Sequence, residues 1–277
     1  MSEEKRRLVT RADFDGVVCG ALFNELDMIG DIVFAEPSDM QQGRFPVSDK
    51  DISANLPYVE GIHICFDHHL SEIERVGEKD NLIIDADAPS AARVVYDYYG
   101  GREKFPNIDE ALMTAVDKAD SAQFSMEEVV NPKGWPLLSF MMDPRTGLGR
   151  FRGFRIPNYE LMMALIEFCH EHTIEEILEL TDVKERVDLY FEQQEKFIDQ
   201  LNRCSTIEGN LVVLDLRNEE TIYAGNRFLI YAQFPQCNIS MHVITGRDGQ
   251  NVVFAVGKSI FDRSSKTDIG KLMLEYC

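Results

Sequence analysis

Short apolar runs alternate with helix-like stretches through the N-terminal part of the chain. The runs have the length and composition of strands buried in a parallel sheet, and they lie at Arg7–Ala12, Asp31–Ala35, Ile52–Leu56, Ile62–Phe66 and Asn81–Asp85. Between the first two runs, residues 17–28 place Val18, Leu22 and Leu26 at steps of four, which predicts an amphipathic helix. This rhythm predicts an α/β fold with a mainly parallel sheet and helical crossovers in an N-terminal domain.

The middle of the chain is predicted to be helical. Ser90 is expected to cap a helix that runs to about Tyr99, and Thr173 with Glu176 has the pattern of a capping box. We expect Asp182 to cap a long helix that reaches about Cys204. Further helices are predicted at Ile108–Ala122, Leu137–Met142 and Asn158–Cys169. The apolar stripe of the long helix predicts core packing and a bridge between two domains, and it comprises Val183, Val187, Tyr190, Phe191, Phe197, Ile198 and Leu201.

After Cys204 the pattern favours strands again. Strand-like runs lie at Leu211–Leu216, Cys237–Thr245 and Val252–Val256, and the last two flank a hairpin signal at residues 246–250. Helices are predicted between and after them, at Asn226–Phe234 and Thr267–Tyr276. This change predicts a smaller α/β C-terminal domain, with the first domain at residues 1–202 and the second at residues 203–277.

The charge balance restricts the classes of partner. The chain carries 48 Asp and Glu against 28 Lys and Arg, a formal net charge of −20, which disfavours binding of long duplex nucleic acid. No apolar run approaches the length of a membrane helix, and the first residues lack the pattern of a secretory signal. The six cysteines have no C-x-x-C spacing, so we expect reduced thiols and a cytoplasmic protein.

Three clusters concentrate acidic and histidine side chains. They are Asp13-x-Asp15-Gly16, Asp67-His68-His69 and Asp117-Lys-Ala-Asp120, and the first two lie where predicted strands end. Each alone has an ordinary explanation: a helix cap, core or surface histidines, and a solvated helix face. Together they offer carboxylate and imidazole ligands without thiolate, a set that suits Mn²⁺ or Mg²⁺ in a phosphoryl-transfer site.

The segments 10–16, 66–69 and 117–121 resemble the DHH phosphoesterase superfamily, which is named for the triplet found here at 67–69. The resemblance covers essentially the whole chain, because Val252–Leu272 is similar to the family's associated C-terminal domain. Residues 142–149 are most similar to the exopolyphosphatase-related branch. The resemblance implies that metal ligands are Asp13, Asp15, His68 and Asp120, the last preferred to Asp117. It also implies that His69 faces the substrate phosphate while Asp67 fixes the tautomer of a histidine.

Two departures from the family pattern concern the first metal. Arg11 stands where the family usually has a histidine or aspartate, and Asn55 stands where a metal-bridging aspartate is usual. A guanidinium repels a cation and can contact a phosphate instead, and an amide oxygen is the weaker ligand. We therefore expect one or two ions, with the first weak or absent and the second partly retained. The family's Gly-rich C-terminal stretch is missing, because the sequence stops at Cys277; this reflects either truncation or a reduced grip on substrate.

Basic residues that could hold a phosphate lie in the C-terminal half. Residues 145–155 contain four arginines and two phenylalanines without an acid, and Arg145 and Arg150 are the candidates there. By resemblance, Lys258, Arg263 and Ser264 would also hold substrate phosphates. The alternatives are a loop whose arginines pair with the surplus carboxylates and an ordinary surface turn.

These observations favour a metal-dependent phosphohydrolase, exopolyphosphatase-like, acting on phosphoanhydride or phosphodiester bonds of a small phosphate-rich substrate or nucleotide. The alternative is a catalytically weakened phosphate- or nucleotide-binding protein on a degenerate scaffold, which Arg11 and Asn55 favour. A DNA exonuclease ranks lower because of the net charge. A homodimer is left open.

Overall fold

A computed structural model of the chain describes residues 5–246 and 249–276. These residues form two compact units, each described by itself below. The first unit contains residues 5–123, 134–143 and 153–184, and the second contains residues 124–133, 144–152 and 185–276. The predicted domain boundary at 202/203 falls within the long helix Thr181–Cys204, and this division into domains stays a prediction.

The first unit is built on a parallel five-stranded sheet. Its strands are β1 Arg6–Thr10, β2 Ile29–Phe34, β3 Asp51–Ala54, β4 Ile64–Asp67 and β5 Leu82–Ile84. The strand order is β2-β1-β3-β4-β5, and every neighbouring pair is parallel, which confirms the predicted fold class. The order reverses between β1 and β3. In open α/β sheets the carboxyl ends of the strands at such a point border a crevice where sites form.

Twelve α-helices lie among the described residues. They are α1 Phe14–Glu25, α2 Pro37–Gln41, α3 Leu70–Val76, α4 Ala91–Tyr99, α5 Glu110–Asp120, α6 Met126–Val130, α7 Gly134–Met142, α8 Asn158–Glu171, α9 Ile174–Glu179, α10 Thr181–Cys204, α11 Leu229–Gln233 and α12 Ile269–Tyr276. The predicted cap at Ser90 is confirmed, because its side chain accepts from the Arg93 amide. The predicted capping box of Thr173 and Glu176 is confirmed as well.

Two details of the long helix α10 were predicted wrongly. It begins at Thr181, so Asp182 lies in the first turn rather than at the cap, where its charge still favours the helix dipole. Phe191 belongs to the predicted apolar stripe, yet it is exposed. The polar residues Gln193 and Gln200 are buried on this helix instead, and Gln200 donates to the Thr221 carbonyl at 2.8 Å. Gln200 thus shows that a satisfied polar group can replace an apolar one on a buried face, whereas Gln193 Oε1 has no hydrogen-bond partner among the described residues.

Helix α1 is the centre of the core of the first unit. Its residues from Phe14 to Phe23 are buried, and it packs against α4, α5 and α8. The packing is tight at Gly20, where an added Cβ would lie 3.0 Å from Ile166. Helix α1, which begins directly after the first acidic cluster residue Asp13, is therefore held firmly against α8.

The second unit has a four-stranded mixed sheet. Its strands are β6 Ser205–Glu208, β7 Leu211–Asp215, β8 Ile239–Thr245 and β9 Val252–Lys258, in the order β6-β7-β8-β9. β7 and β8 are parallel, and the other two pairs are antiparallel. The pattern did not predict β6, whose residues are mostly exposed and lack apolar alternation. Arg247 and Asp248 of the predicted hairpin lie outside the described residues.

Candidate active site

The first acidic cluster follows β1 and begins α1. Asp13 is the N-cap of α1, and its Oδ1 accepts from the Gly16 amide at 3.0 Å. Gly16 permits a close approach of the chain, since an added Cβ would lie 2.0 Å from the Arg11 carbonyl oxygen. Glycine is therefore required here by backbone packing, which is the reason why this turn can present two carboxylates.

Asp15 is buried at the start of α1, with 2% of its surface exposed. Its two carboxylate oxygens accept from the backbone amides of Ala92 and Ala91, at 2.8 and 2.9 Å, at the N-terminus of α4. Burial raises the pKa of Asp15 well above its usual range, and the charges of Asp120 and Asp13 raise it further. A positive charge nearby would relieve this unfavourable burial of negative charge.

The second cluster ends β4 and leads into α3. Asp67 is buried, and its Oδ1 accepts from the His68 amide at 2.8 Å and from Nδ1 of His69 at 2.7 Å. His68 Nδ1 lies 3.2 Å from the Ala88 carbonyl oxygen, which can only accept, so we assign the proton to Nδ1. Nε2 of His68 is then the ring nitrogen that can offer a lone pair to a ligand once the ring is neutral.

His68 Nε2 points to Asp120 at the end of α5. The distance from Nε2 to Asp120 Oδ2 is 3.1 Å. Nε2 is buried and has no hydrogen-bond partner of good geometry in the part of the chain that the structure describes. The contact between His68 and Asp120 is therefore an ion pair when the imidazole is protonated. Burial lowers the pKa of His68, but Asp120 and Asp15 outweigh burial and raise this pKa to about 9.

Asp15, His68 and Asp120 form a group that fits a metal ion. One donor atom from each lies within 4.8 Å of the donor atoms of the other two. Two carboxylates and an imidazole suit Mn²⁺ or Mg²⁺, and the unbonded Nε2 offers its lone pair where a cation would replace a proton. The same distance criterion is met by a second group, Asp67, His68 and His69. In that group the Asp67 carboxylate already accepts from the His68 amide and from Nδ1 of His69.

Asp13 and Asn55 lie beside this group and bind each other. Asn55 Nδ2 donates to Asp13 Oδ1 at 3.0 Å, and Arg11 Nε lies 3.1 Å from Asp13 Oδ2. Asn55 is buried directly after β3 with a φ of 57°, a left-handed conformation that asparagine tolerates. The Asp13 carboxylate is thus surrounded by donors, and whether Asp13 or Asn55 binds a metal stays a prediction.

Asp117 has partners different from those of Asp120. Its carboxylate accepts from Arg93 at 2.6 and 3.0 Å and from the Ser90 hydroxyl at 2.7 Å. Asp117 is thus engaged by other side chains, and the preference for Asp120 as a ligand stays a prediction.

The basic residues predicted to bind substrate do not all lie together. Arg145, Arg150 and Lys258 line one pocket of about 240 Å³ in the second unit. Arg263 and Ser264 are not among the residues that line it: Arg263 Nε donates to the Ile260 carbonyl, and Ser264 Oγ accepts from Asn238.

Sequence reasoning missed two residues of this pocket, Arg227 and His242, because neither belongs to a motif or a charged run. The predicted alternative, in which the arginines of residues 145–155 pair with carboxylates, holds at Arg155. Its Nε lies 3.4 Å from Asp182 Oδ1.

Comparison with known proteins places these observations in a family. No protein-family model matches the chain, and no curated protein matches it either. Among the described residues, no helix has both the length and the apolar character needed to cross a membrane. A structure of an uncharacterised protein from Helicobacter pylori G27 covers 98% of this chain at a TM-score of 0.36 and 11% identity, too distant to inform the fold.

The structure of the pGpG-specific phosphodiesterase PggH from Vibrio cholerae is much more similar. It has 56% sequence identity to this chain and a TM-score of 0.87, and the match covers 98% of this chain and 89% of PggH. Identity and coverage of this size establish that the two proteins belong to one family. The wider resemblance to DHH phosphoesterases stays a prediction. The chain belongs to the family of this pGpG-specific phosphodiesterase.

Proposed function

We propose that the chain is a metal-dependent phosphodiesterase that hydrolyses pGpG or a closely similar short dinucleotide. The observation that carries the proposal is the convergence of Asp15, His68 and Asp120, whose donor atoms lie within 4.8 Å of one another. The substrate is suggested by the activity of the relative at 56% identity. The net charge of −20 also favours a compact substrate over a long polyanion.

Asp15, His68 and Asp120 are the residues that would hold the cation. Mn²⁺ or Mg²⁺ bound there would supply Lewis-acid polarisation of a phosphoryl oxygen and a lowered pKa for water. The Asp13 carboxylate already accepts from Gly16 and Asn55 and lies beside Arg11, so we expect a second ion near Asp13 to bind weakly. The other roles in hydrolysis that we assign fall to His69 and Arg11 of the first unit.

His69 is placed to handle the proton of the leaving oxygen. Asp67 accepts from its Nδ1 at 2.7 Å and is buried, which orients the ring. The His69 side chain is 49% exposed, so its Nε2 can reach a substrate from solvent. We assign to Nε2 the proton that the leaving oxygen takes up.

Arg11 would neutralise phosphate charge near the same edge. Its side chain is 41% exposed and is ion-paired to Asp13 through Nε. A guanidinium that shares one edge with a carboxylate can still offer N–H groups to a phosphate. Arg11 at this position would thus both contact a phosphate and weaken the binding of a first metal ion.

The test is hydrolysis by the purified full chain with Mn²⁺, Mg²⁺ or EDTA. The substrates are pGpG, GpG, a cyclic dinucleotide and polyphosphate. We expect cleavage of pGpG to GMP with Mn²⁺, no cleavage in EDTA, and at least a hundredfold loss of kcat in His68→Ala. His172→Ala is the matched control, because His172 lies in the same unit and is exposed beside Glu176. Binding of pGpG without any turnover would refute the proposal and favour the weakened scaffold.

The two aspartates of α5 offer a sharper comparison. Asp120→Asn should weaken Mn²⁺ binding in calorimetry and lower kcat, because it removes a charged ligand beside His68. Asp117→Asn should lower the melting temperature but leave Mn²⁺ affinity within about twofold, because Asp117 is bound to Arg93 and Ser90. Equal loss of Mn²⁺ affinity in both variants would contradict the assignment of the ligand.

A further inference from the structure

A short segment of the first unit, residues 88–93, contacts all three elements that carry the candidate ligands. It joins β5 to α4 and includes the first turn of α4. Asp15 lies at the start of α1, His68 follows β4, and Asp120 is the last residue of α5. Ligands from such distant positions need a common support, because a metal site tolerates only small displacements of its donor atoms.

Asp15 is held by the backbone of this segment. The amides of Ala91 and Ala92 donate to its two carboxylate oxygens, at 2.9 and 2.8 Å. These residues begin α4, and the first amides of a helix have no partner within it. Both alanines are completely buried, so bulk water does not compete for the bonds. Two donors on two oxygens fix both the position and the plane of the Asp15 carboxylate.

The carbonyl at the start of the segment sets the orientation of His68. The Ala88 oxygen lies 3.2 Å from Nδ1 of His68. Because a carbonyl only accepts, this contact assigns a proton to Nδ1, and Nε2 lies on the side of Asp120. Pro89 follows directly, and its ring restricts the backbone between this carbonyl and the amides that hold Asp15. One stiff piece of chain thus supports two ligands.

Side chains join the same segment to α5. The Ser90 hydroxyl donates to Asp117 Oδ1 at 2.7 Å, and Arg93 donates to Asp117 Oδ2 at 2.6 and 3.0 Å. Asp117 lies one turn before Asp120 on α5, so these bonds set the distance from the segment to the third ligand. Ser90 is completely buried and also caps α4, because its oxygen accepts from the Arg93 amide at 3.0 Å. Its hydroxyl therefore connects two helices.

The start of α6 shows what an ordinary serine cap does in this chain. Ser125 is the N-cap of α6, and Glu128 binds back to it in a capping box. These contacts are local, whereas the first amide of α4 binds a carboxylate 76 residues earlier in the sequence. The two helix starts share the cap residue and differ in their long-range contacts, so α6 supplies matched controls.

We propose that residues 88–93 act as a positioning element, which fixes the donors of the metal site without binding the ion. Its carbonyl orients His68, its amides orient Asp15, and its Ser90 hydroxyl places α5 with Asp120. The inference rests on the proposed function for the choice of ligands. It adds that Mn²⁺ affinity depends on a segment that contributes no ligand.

The first test is Ala91→Pro, which removes one amide that holds Asp15 and changes no ligand side chain. Ala91 is the first residue of α4, where proline is tolerated, and Ser90 before it is already extended. Calorimetry of the metal-free full chain should show Mn²⁺ affinity reduced about ten- to hundredfold, the usual effect of losing a partner of a ligand. Met126→Pro is the control, because Met126 is the first residue of α6 and is exposed; it should change Mn²⁺ affinity less than about twofold.

The second test is Ser90→Gly, which breaks the link to α5. Glycine is also a good helix cap, but it cannot donate to Asp117. We expect Mn²⁺ affinity to fall about three- to tenfold, whereas Ser125→Gly, the same change at the cap of α6, should leave it unchanged. Asp117→Asn keeps an oxygen for the Ser90 hydroxyl and should retain Mn²⁺ affinity. Circular dichroism and melting of the metal-free chains verify folding, and Ser90→Gly decides if Ala91→Pro does not fold.

Equal Mn²⁺ affinity in folded Ser90→Gly and Ser125→Gly would overturn the inference, even if the wild type hydrolyses pGpG. If the wild type binds Mn²⁺ but does not hydrolyse pGpG, a selective loss of Mn²⁺ affinity in Ser90→Gly would still support the inference. Only the proposed function would then fall.

Discussion

Acidification should destabilise the wild-type chain through His242, and His242→Gln should remove that part of the effect. Burial and two arginines hold the pKa of His242 at about 4, against 6.5 for an ordinary histidine. Between these values the unfolded chain binds the proton and the folded chain does not, so stability falls as the pH falls. For one site with these two values, the loss between pH 7.5 and pH 5 is about 2 kcal/mol.

Urea unfolding of both chains at pH 7.5 and pH 5 measures this contribution. Many carboxylates also titrate in acid, but they are common to both chains and cancel in the comparison. We expect the unfolding free energy of the wild type to fall by about 2 kcal/mol more than that of His242→Gln over this interval. If both chains lose the same stability, His242 is not held neutral by its surroundings.

Three further substitutions test the packing of the first unit. Gly16→Ala should lower the free energy of unfolding in urea by about 1–3 kcal/mol, because its Cβ meets backbone. Gly149→Ala, whose Cβ enters open space, should leave it nearly unchanged. Equal effects of the two substitutions would contradict the close approach at Gly16. Asp51→Asn should cost about 1–3 kcal/mol at pH 7. Burial raises the pKa of Asp51, but Arg7 and other donors outweigh it and lower the pKa, so this loss should vanish as acid titration passes below about pH 4. Arg93→Met should cost about 1–3 kcal/mol by calorimetry, and an unchanged melting temperature would count against its pair on α5.

The parallel sheet was predictable because its strands are short apolar runs that end at polar residues. Burial on both faces removes the alternation of polar and apolar residues, and each run is bounded by a turn or a helix signal. The strand β6 was missed because it is an edge strand of four mostly exposed residues directly after a long helix. The predicted start of α10 was two residues too late, because a first turn and a cap favour the same acidic side chains.

The acidic cluster was predictable for a topological reason. Carboxyl ends of parallel strands meet at one edge, so residues after β1 and β4 had to approach each other. The hydrogen bond from Asn55 to Asp13 was not predictable, since it depends on the left-handed backbone of Asn55 after β3. The complete pocket of the second unit was not predictable either, because its lining comes from segments far apart in sequence and held together by tertiary packing alone.

Part of the acidic surplus of the chain lies where its carboxylates could bind a cation. In the first unit, Asp15 and Asp120 lie with a single imidazole in a partly buried group, an arrangement that is unfavourable for two negative charges unless a cation joins them. This arrangement lowers the stability of the first unit, and the divalent cation that we propose for it would relieve the cost.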